Sequence, residues 1–392
     1  MKILNIKNII IILLVITFMP LKIYAGENEQ LRVKIFNNDM TSYTQQIKEK
    51  TYIMFDVIEN YYEDYEVTQN GDGFYGIFDG KTFSCNINEY YFYINSGYYY
   101  TEKPKVLDGE LYVPLEFFAY LLEADYKKTN CYELIDTYLE GKDYSFTENN
   151  LIAHALGGYE GVAVTNSLES FLSNYEKGFR VFEVDLQYTY DAVLVAAHDF
   201  KNPFLYAIDP ELKNDVTYEE FKKNKIYGNL TSLSFEDVVN LMVEYDDIYI
   251  ITDTKYTGTS NVTKQFTKII ETVNRIEPSV IDRIVPQIYT YEMYDTVKSI
   301  NDFNAYIFTL YQLEDLDIDY LTNFVYENGI NVVTMDSYRA SNELLYSLNS
   351  YGIETYVHTI NDLNTMDSFL KKGVTGFYTD FISNEDLQEI LN

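Results

Sequence analysis

Residues 151–199 read LIAHALGGYEGVAVTNSLESFLSNYEKGFRVFEVDLQYTYDAVLVAAHD, and this stretch decides both the fold and the chemistry. The chain has three histidines, and two of them, His154 and His198, lie near the two ends of the stretch. Between them, Glu183 and Asp185 follow an apolar run. Side chains alternate faces along a strand, so both carboxylates are predicted to point the same way. Two imidazoles and two carboxylates at one place form an acid–base pair beside a site for a hard cation.

After residue 150, strand-like apolar runs alternate with stretches of helical periodicity, several of which end at a glycine. This alternation predicts a parallel sheet, and about eight units predict a (β/α)8 TIM barrel of the α/β class. The strand-like runs are 151–153, 180–186, 193–197, 248–252, 284–288, 305–308, 331–334, 354–358 and 376–378. That is one run too many, and the link from 185 to 193 is too short for a helix. Either one run lies outside the barrel, or the barrel is irregular near its second and third strands.

The polar candidates fall at the ends of these runs, where the active sites of such barrels lie. Asp253 and Lys255 follow the run 248–252 on one face. Asp253 is therefore predicted to be a third carboxylate beside Glu183 and Asp185. Three carboxylates suit Ca²⁺ or Mg²⁺, which prefer oxygen ligands.

The order of these motifs resembles the glycerophosphodiester phosphodiesterase family, in the superfamily that includes phosphatidylinositol-specific phospholipases C. The family pattern runs His-Arg-Gly, Glu-Asn-Thr with an amphipathic helix, Glu-x-Asp, and His-Asp. The matching residues are His154, Asn166-Ser167, Glu183 with Asp185, and His198-Asp199.

The chain departs from the family pattern at two places. Ala155-Leu156 replaces Arg-Gly, which removes one phosphate ligand, and Thr165 replaces Glu. In the family the third metal ligand is the Glu of Glu-x-Lys. Asp253 stands there, as Asp does in the sphingomyelinase D branch.

The resemblance implies a metal-dependent phosphodiesterase in which His198 is the general acid and His154 the base, with the reverse assignment open. It also implies that a hydroxyl of the substrate can attack phosphorus and give a cyclic phosphate. Lys255 would hold a phosphate oxygen. Asn166 is either the cap of the helix that follows or a substrate contact.

Two later residues are further substrate-binding candidates. His358 and Gln287 end or follow strand-like runs and are expected to line the pocket. Asp380, by contrast, is interpreted as structural.

The first part of the chain predicts a small α+β domain at 26–145, with the barrel at 146–392. Residues 26–48 have no clear period and are interpreted as a leader into it. Strand-like runs with Asp79-Gly80 and Asp108-Gly109 turns then accompany two predicted short helices, at 51–62 and 115–126. The segment 107–115, LDGELYVPL, resembles the copper amine oxidase N-terminal-like domain. Residues 51–140 contain no histidine, so spacing or cell-wall attachment is expected there rather than copper chemistry.

Residues 1–25 predict a secretory signal peptide, with lysines before an apolar run and cleavage after Ala25; an uncleaved anchor is the alternative. The protein is therefore expected to be secreted.

The net charge of −32 argues against nucleic acid as a partner and disfavours tight docking on anionic lipid. Cys85 and Cys131 could form one bridge or remain two buried thiols.

The predicted function is hydrolysis of glycerophosphodiesters or phospholipid head-group diesters with Ca²⁺ or Mg²⁺. One alternative is a phospholipase C or D acting on intact lipid, with transient membrane contact through the apolar loop after His198, although such a loop is more often an active-site wall. The other alternative is a catalytically inactive binding module, because the family's Arg and Glu are replaced.

Overall fold

The computed structural model describes residues 32–391, except 37, 49, 63–64, 96, 129–131, 137–140 and 201–215. The predicted signal peptide, Cys131 and most of the apolar loop after His198 lie outside the described residues. Within the described residues, no helix is both long and apolar enough to cross a bilayer.

The first part of the chain is rich in strands, which form three sheets: β12-β13-β1-β2, β10-β11-β4-β3 and β5-β6-β7-β8-β9. Its elements are β1 (Arg32–Ile35), β2 (Asn38–Asp39), β3 (Thr44–Ile47), β4 (Lys50–Met54), β5 (Tyr65–Asn70), β6 (Gly73–Phe78), β7 (Lys81–Asn86), β8 (Tyr91–Ile94), β9 (Gly97–Tyr100), β10 (Lys105–Leu107), β11 (Glu110–Pro114), α1 (Leu115–Leu121), β12 (Asp125–Lys128) and β13 (Tyr132–Asp136). The two predicted turns join β6 to β7 and β10 to β11. Cys85 is buried here, and its pairing with Cys131 stays untested.

Two local expectations in this region were wrong, and the bounds of a third were too long. Within the segment interpreted as a leader, residues 32–47 contribute β1, β2 and β3 to the sheets of this region. The helix predicted at 51–62 is strand β4 followed by a 3-10 helix, Phe55–Asn60, because Ile53 pairs with Val113 of β11 and tertiary pairing overrides the local pattern. The second predicted helix is present, but it ends at Leu121 and the chain continues into β12.

Eight parallel strands then close into a barrel, as predicted. Their order is β14-β22-β21-β20-β19-β18-β17-β15, and β14 also pairs with β15. The strands are β14 (Leu151–Ala153), β15 (Val181–Tyr188), β17 (Tyr249–Asp253), β18 (Ile284–Ile288), β19 (Ile307–Thr309), β20 (Val332–Asp336), β21 (Glu354–His358) and β22 (Gly376–Thr379). The ninth run is β16 (Leu194–Ala196), which pairs antiparallel with β15 outside the barrel.

Helices connect the strands and cover the barrel. They are α2 (Leu168–Glu176), α3 (Tyr218–Lys223), α4 (Phe235–Glu244), α5 (Thr259–Ile276), α6 (Tyr291–Ile300), α7 (Ile318–Glu327), α8 (Asn342–Ser350), α9 (Leu363–Leu370) and α10 (Asn384–Leu391). Several begin with side-chain caps, and Ser234 and Asp237 form a complete capping box at α4. After α2, Gly178 takes a φ of +92°, which a residue with a Cβ adopts only at a cost.

The amino end of the barrel is sealed by apolar side chains. Each strand contributes one to a buried cluster, which Tyr144 and Phe146 of the preceding segment complete. The strand members are Ile152, Val181, Ile251, Val285, Ile307, Val332, Tyr356 and Tyr378. Because side chains alternate along a strand, residues two and four positions further on also face the interior, nearer the carboxyl end. This register decides which polar side chains meet there.

Candidate active site

Three carboxylates meet at the carboxyl end of neighbouring strands. Glu183 and Asp185 follow Val181 on the inner face of β15, and Asp253 follows Ile251 on β17. One oxygen from each of the three lies within 4.8 Å of the others, and all three side chains are buried. The predicted metal ligands are therefore brought together.

Glu183 is held by one hydrogen bond and is otherwise poorly paired. The backbone N–H of Ala155 donates to its Oε2 at 2.7 Å, whereas its Oε1 is buried without a hydrogen-bond partner. Burial and repulsion from Asp185 raise the pKa of Glu183. An added positive charge beside Oε1 would relieve both effects.

Asp185 is fixed by Asn166. The Asn166 amide donates to Oδ2 of Asp185 at 2.8 Å, and the N–H of Asp185 donates back to the Asn166 oxygen at 3.1 Å. Burial opposes ionisation of Asp185, but the nearby charges of Lys255 and His198 outweigh it and lower its pKa. Asn166 is not the helix cap, because the hydroxyl of Ser167 caps α2 instead. Fully buried, it positions a carboxylate.

Lys255 lies against the carboxylates. Its ammonium is 2.7 Å from Oδ1 of Asp185 and 2.8 Å from Oδ2 of Asp253, while the hydroxyl of Tyr289 donates to the other Asp253 oxygen. Burial opposes the charge on Lys255, but the carboxylates raise its pKa. The ammonium thus supplies positive charge where a cation would bind. With oxygen-only donors and the unpaired Oε1 of Glu183, the residues present fit Ca²⁺ or Mg²⁺.

His154 is oriented by a chain of polar residues. Its Nδ1 is 2.9 Å from Oδ1 of Asp380, which directly follows β22, and its Nε2 is 4.0 Å from Oε2 of Glu183. The amide of Asn361 donates to the other Asp380 oxygen at 2.7 Å and accepts the N–H of Asp380. Burial would lower the pKa of His154, but these carboxylates raise it to about 9. Asp380, interpreted from sequence as structural, therefore positions a predicted catalytic residue.

His198 is the more open of the two predicted catalytic histidines. It follows β16, the run that pairs antiparallel with β15 outside the barrel. Its side chain is 44% exposed, and its Nδ1 is 3.2 Å from Oδ2 of Asp199. Protonated His198 would help to lower the pKa of Asp185, so the ring lies within electrostatic reach of the carboxylates.

The two remaining substrate-binding candidates face the barrel interior. Gln287 is buried and accepts a hydrogen bond from the hydroxyl of Tyr378 at 2.9 Å. His358 has Nδ1 3.8 Å from Asp336 and a buried Nε2 without a hydrogen-bond partner. Burial lowers its pKa, so the ring is held neutral. His358 thus keeps a buried ring nitrogen that is free to contact a substrate.

The turn after His154 adds no charge to the site. Ala155 and Leu156 take left-handed φ values of 49° and 66°, and Leu156 packs into the hydrophobic core outside the barrel. Thr165, the second departure from the family pattern, forms a buried hydroxyl cluster with Ser167 and Ser170. Neither position supplies the phosphate ligand or carboxylate that the family has.

Residues 157–384 match the Glycerophosphoryl diester phosphodiesterase family. The chain belongs to this family. The match covers the three carboxylates and His198 and begins three residues after His154. The family assignment makes the chain a phosphoric diester hydrolase, in a family that generally depends on divalent metals.

Solved structures agree with the barrel fold. A glycerophosphodiester phosphodiesterase from Parabacteroides distasonis is 19% identical, with a TM-score of 0.51 over 62% of this chain and 96% of that one. An Oleispira antarctica phosphodiesterase, in complex with the product sn-glycerol-3-phosphate, is 15% identical, with the same TM-score and coverage. No curated protein sequence matches the chain.

Proposed function

We propose that the chain hydrolyses glycerophosphodiesters with a bound Ca²⁺ or Mg²⁺ and with His154 and His198 as the acid–base pair. One observation carries this proposal: a buried three-carboxylate cluster lies at the carboxyl end of a barrel, 4.0 Å from an imidazole held by Asp380. Such an arrangement places a site for a charge-stabilising cation next to an imidazole that can transfer a proton.

Glu183, Asp185 and Asp253 would hold the cation. When bound, the cation would polarise the phosphoryl oxygens and stabilise the charge that develops on them. Asn166, the backbone of Ala155 and Tyr289 each hold one carboxylate in place. Those partners fix the ligand oxygens before a cation arrives, so little reorganisation is needed.

His154 acts as the base in this proposal. With Nδ1 held by Asp380, its Nε2 faces the carboxylates. A cation bound to Glu183 and Asp185 would offset their negative charge, which helps to raise the pKa of His154, and the neutral ring could then take the proton of an attacking hydroxyl. His198, half-exposed at the mouth, can protonate the leaving alkoxide. Attack by a hydroxyl of the substrate's own glycerol is the route that the family resemblance implies.

Phosphate contacts differ from the family pattern, because Ala155 and Leu156 do not supply the positively charged side chain that the family's Arg provides. Lys255 now contacts Asp185 and Asp253. Once a metal cation binds these carboxylates, the ammonium of Lys255 is available to contact a phosphate oxygen. The free Nε2 of His358 is the next candidate for a phosphate or hydroxyl oxygen. Gln287 accepts a hydrogen bond from Tyr378 and would act by orienting that hydroxyl.

A soluble diester is the favoured substrate, because a fold neighbour carries sn-glycerol-3-phosphate as its product. We also propose that the protein is exported after removal of residues 1–25. Residues 26–145 would then form a copper amine oxidase N-terminal-like domain and residues 146–392 the barrel domain.

The test is turnover of glycerophosphocholine, glycerophosphoethanolamine and glycerophosphoglycerol, and of intact phospholipid vesicles, with Ca²⁺, Mg²⁺ or EDTA. We expect cation-dependent cleavage of a soluble diester and its loss in His198→Ala. Asp367→Asn, on the outside of α9, is the matched control and should behave as wild type. Cleavage of vesicles alone would make the protein a phospholipase. No cleavage by wild type under any condition would favour an inactive binding module.

A further inference from the structure

The five-stranded sheet β5–β9 has one open face that is lined by tyrosines. The strand ladder pairs Tyr75 with Ser84, Ser84 with Tyr93, and Tyr93 with Tyr98, so these side chains stand in one row across four strands. The opposite face packs into the core through residues such as Phe92. The row is therefore on the solvent side of the sheet.

A second row lies beside the first. Tyr91 pairs directly with Tyr100, and their alternation with Tyr93 and Tyr98 puts all four on the same face. The ring of Tyr98 is 5.2 Å from that of Tyr91 and 5.1 Å from that of Tyr93. Tyr98 and Tyr100 are 60% and 74% exposed. We call Tyr75, Tyr91, Tyr93, Tyr98 and Tyr100 the tyrosine face.

The tyrosine face is nearly free of charge. The side chains that the ladder places around the rings include Thr68, Thr82, Ser84, Asn86 and Ile77. Among the described residues of this face only Glu66 is charged, although 23% of the chain is Asp, Glu, Lys or Arg. Exposed tyrosines together with depleted charge are typical of a binding surface.

We infer that the tyrosine face binds a strand of uncharged, β-linked polysaccharide. A tyrosine ring offers an apolar face and a hydroxyl, which match the C–H face and the hydroxyl rim of a sugar ring. The intervening threonine, serine and asparagine side chains can hydrogen-bond the same rim. An open row of rings, rather than a pocket, suits an extended chain of similar units.

The charge and composition of the face argue against other occupants. Without a lysine or arginine on the face, and with a net charge of −32 on the chain, an anionic polymer or anionic membrane would be repelled. Among the described residues that surround the tyrosine face, Ile77 is the only exposed aliphatic side chain. That is little aliphatic surface for the core of a protein interface.

The experiment measures binding of the full chain to microcrystalline cellulose, to chitin and to soluble cellohexaose. We expect binding that is insensitive to NaCl and at least about tenfold weaker in Tyr98→Ala/Tyr100→Ala. Tyr98→Phe/Tyr100→Phe keeps the rings and should retain most of the affinity. Tyr43→Ala, an exposed tyrosine of the same region outside this sheet, is the matched control. Diesterase turnover should be the same in all of them.

Four outcomes would overturn the inference. They are no binding of wild type to any of the three glycans, equal binding by the double alanine variant, and binding that is lost in high salt. The fourth is self-association of wild type that the double alanine variant abolishes, which would make the face an interface between copies.

Discussion

The two ends of the barrel differ in how their carboxylates are paired: Glu354 at the amino end is partly buried and well paired, whereas Glu183 at the carboxyl end is buried and poorly paired. At the amino end, Glu354 accepts hydrogen bonds from Lys127 and Thr147 at 3.1 Å each and from Asn331 at 3.4 Å. At the carboxyl end, Glu183 shares its site with two more carboxylates and keeps one oxygen without a hydrogen-bond partner. Burying a charge is costly unless it is paired. The amino end is thus arranged for stability, whereas the carboxyl end keeps negative charge that a ligand can neutralise.

The largest effect that would test this contrast is expected from Glu183→Gln. The change removes one cation ligand and should lower turnover by about a thousandfold. In EDTA it should raise the free energy of unfolding by about 1 kcal/mol, because burial and the charge of Asp185 disfavour ionised Glu183 in the folded protein and raise its pKa to about 8, a cost that Gln does not carry. Diesterase kinetics and urea unfolding in EDTA measure the two effects.

The matched variant at the amino end is Glu354→Gln. It should leave turnover near wild type and cost about 1–2 kcal/mol of stability, because Lys127 loses its ion pair. If both variants destabilise the metal-free protein equally, the contrast between the two ends is wrong.

A divalent cation should stabilise the protein through the carboxylates at the carboxyl end of the barrel and not through Glu354 at the amino end. At a concentration of about 100 times its Kd, Ca²⁺ or Mg²⁺ should raise the free energy of unfolding of wild type by about 2.7 kcal/mol. In Asp185→Asn the same addition should have little effect, whereas Glu354→Gln should respond as wild type does. Thermal unfolding with and without the cation is the measurement, and an equal response from Asp185→Asn would remove the carboxylates from the binding site.

Sequence reasoning found the barrel and its carboxylates because period and spacing are local properties. Glu183 and Asp185 are two residues apart, so one strand brings both to the interior. Asp380 is 226 residues from His154, and no local pattern joins them. Its position directly after the run 376–378 was the available signal, since every carboxyl end meets at the same mouth. The ninth run, 193–197, could not be placed because antiparallel pairing to β15 is a tertiary choice.

Asp380 offers a smaller test, on orientation rather than charge. Asp380→Ala should lower kcat by about 10–100-fold with little change in KM, because His154 loses the acceptor that holds its ring. Asn361→Ala, one step further away, should cost less than Asp380→Ala. A change in KM alone would mean that Asp380 contacts substrate rather than positioning His154. Steady-state kinetics on one soluble diester distinguish the two.

The smallest expected effect concerns Lys127, which belongs to β12 and reaches the start of β21. Burial lowers the pKa of Lys127, which opposes its charge, whereas the ion pair with Glu354 favours it. Lys127→Met removes the ammonium group but leaves Glu354 its hydrogen bonds from Thr147 and Asn331. We therefore expect the free energy of unfolding to fall by only about 1 kcal/mol. A double-mutant cycle with Glu354→Gln should give a coupling free energy of about 0.5–1 kcal/mol in urea unfolding. A coupling near zero would show that hydrogen bonds from the barrel alone satisfy Glu354, and that the strand-rich region contributes nothing to the amino end.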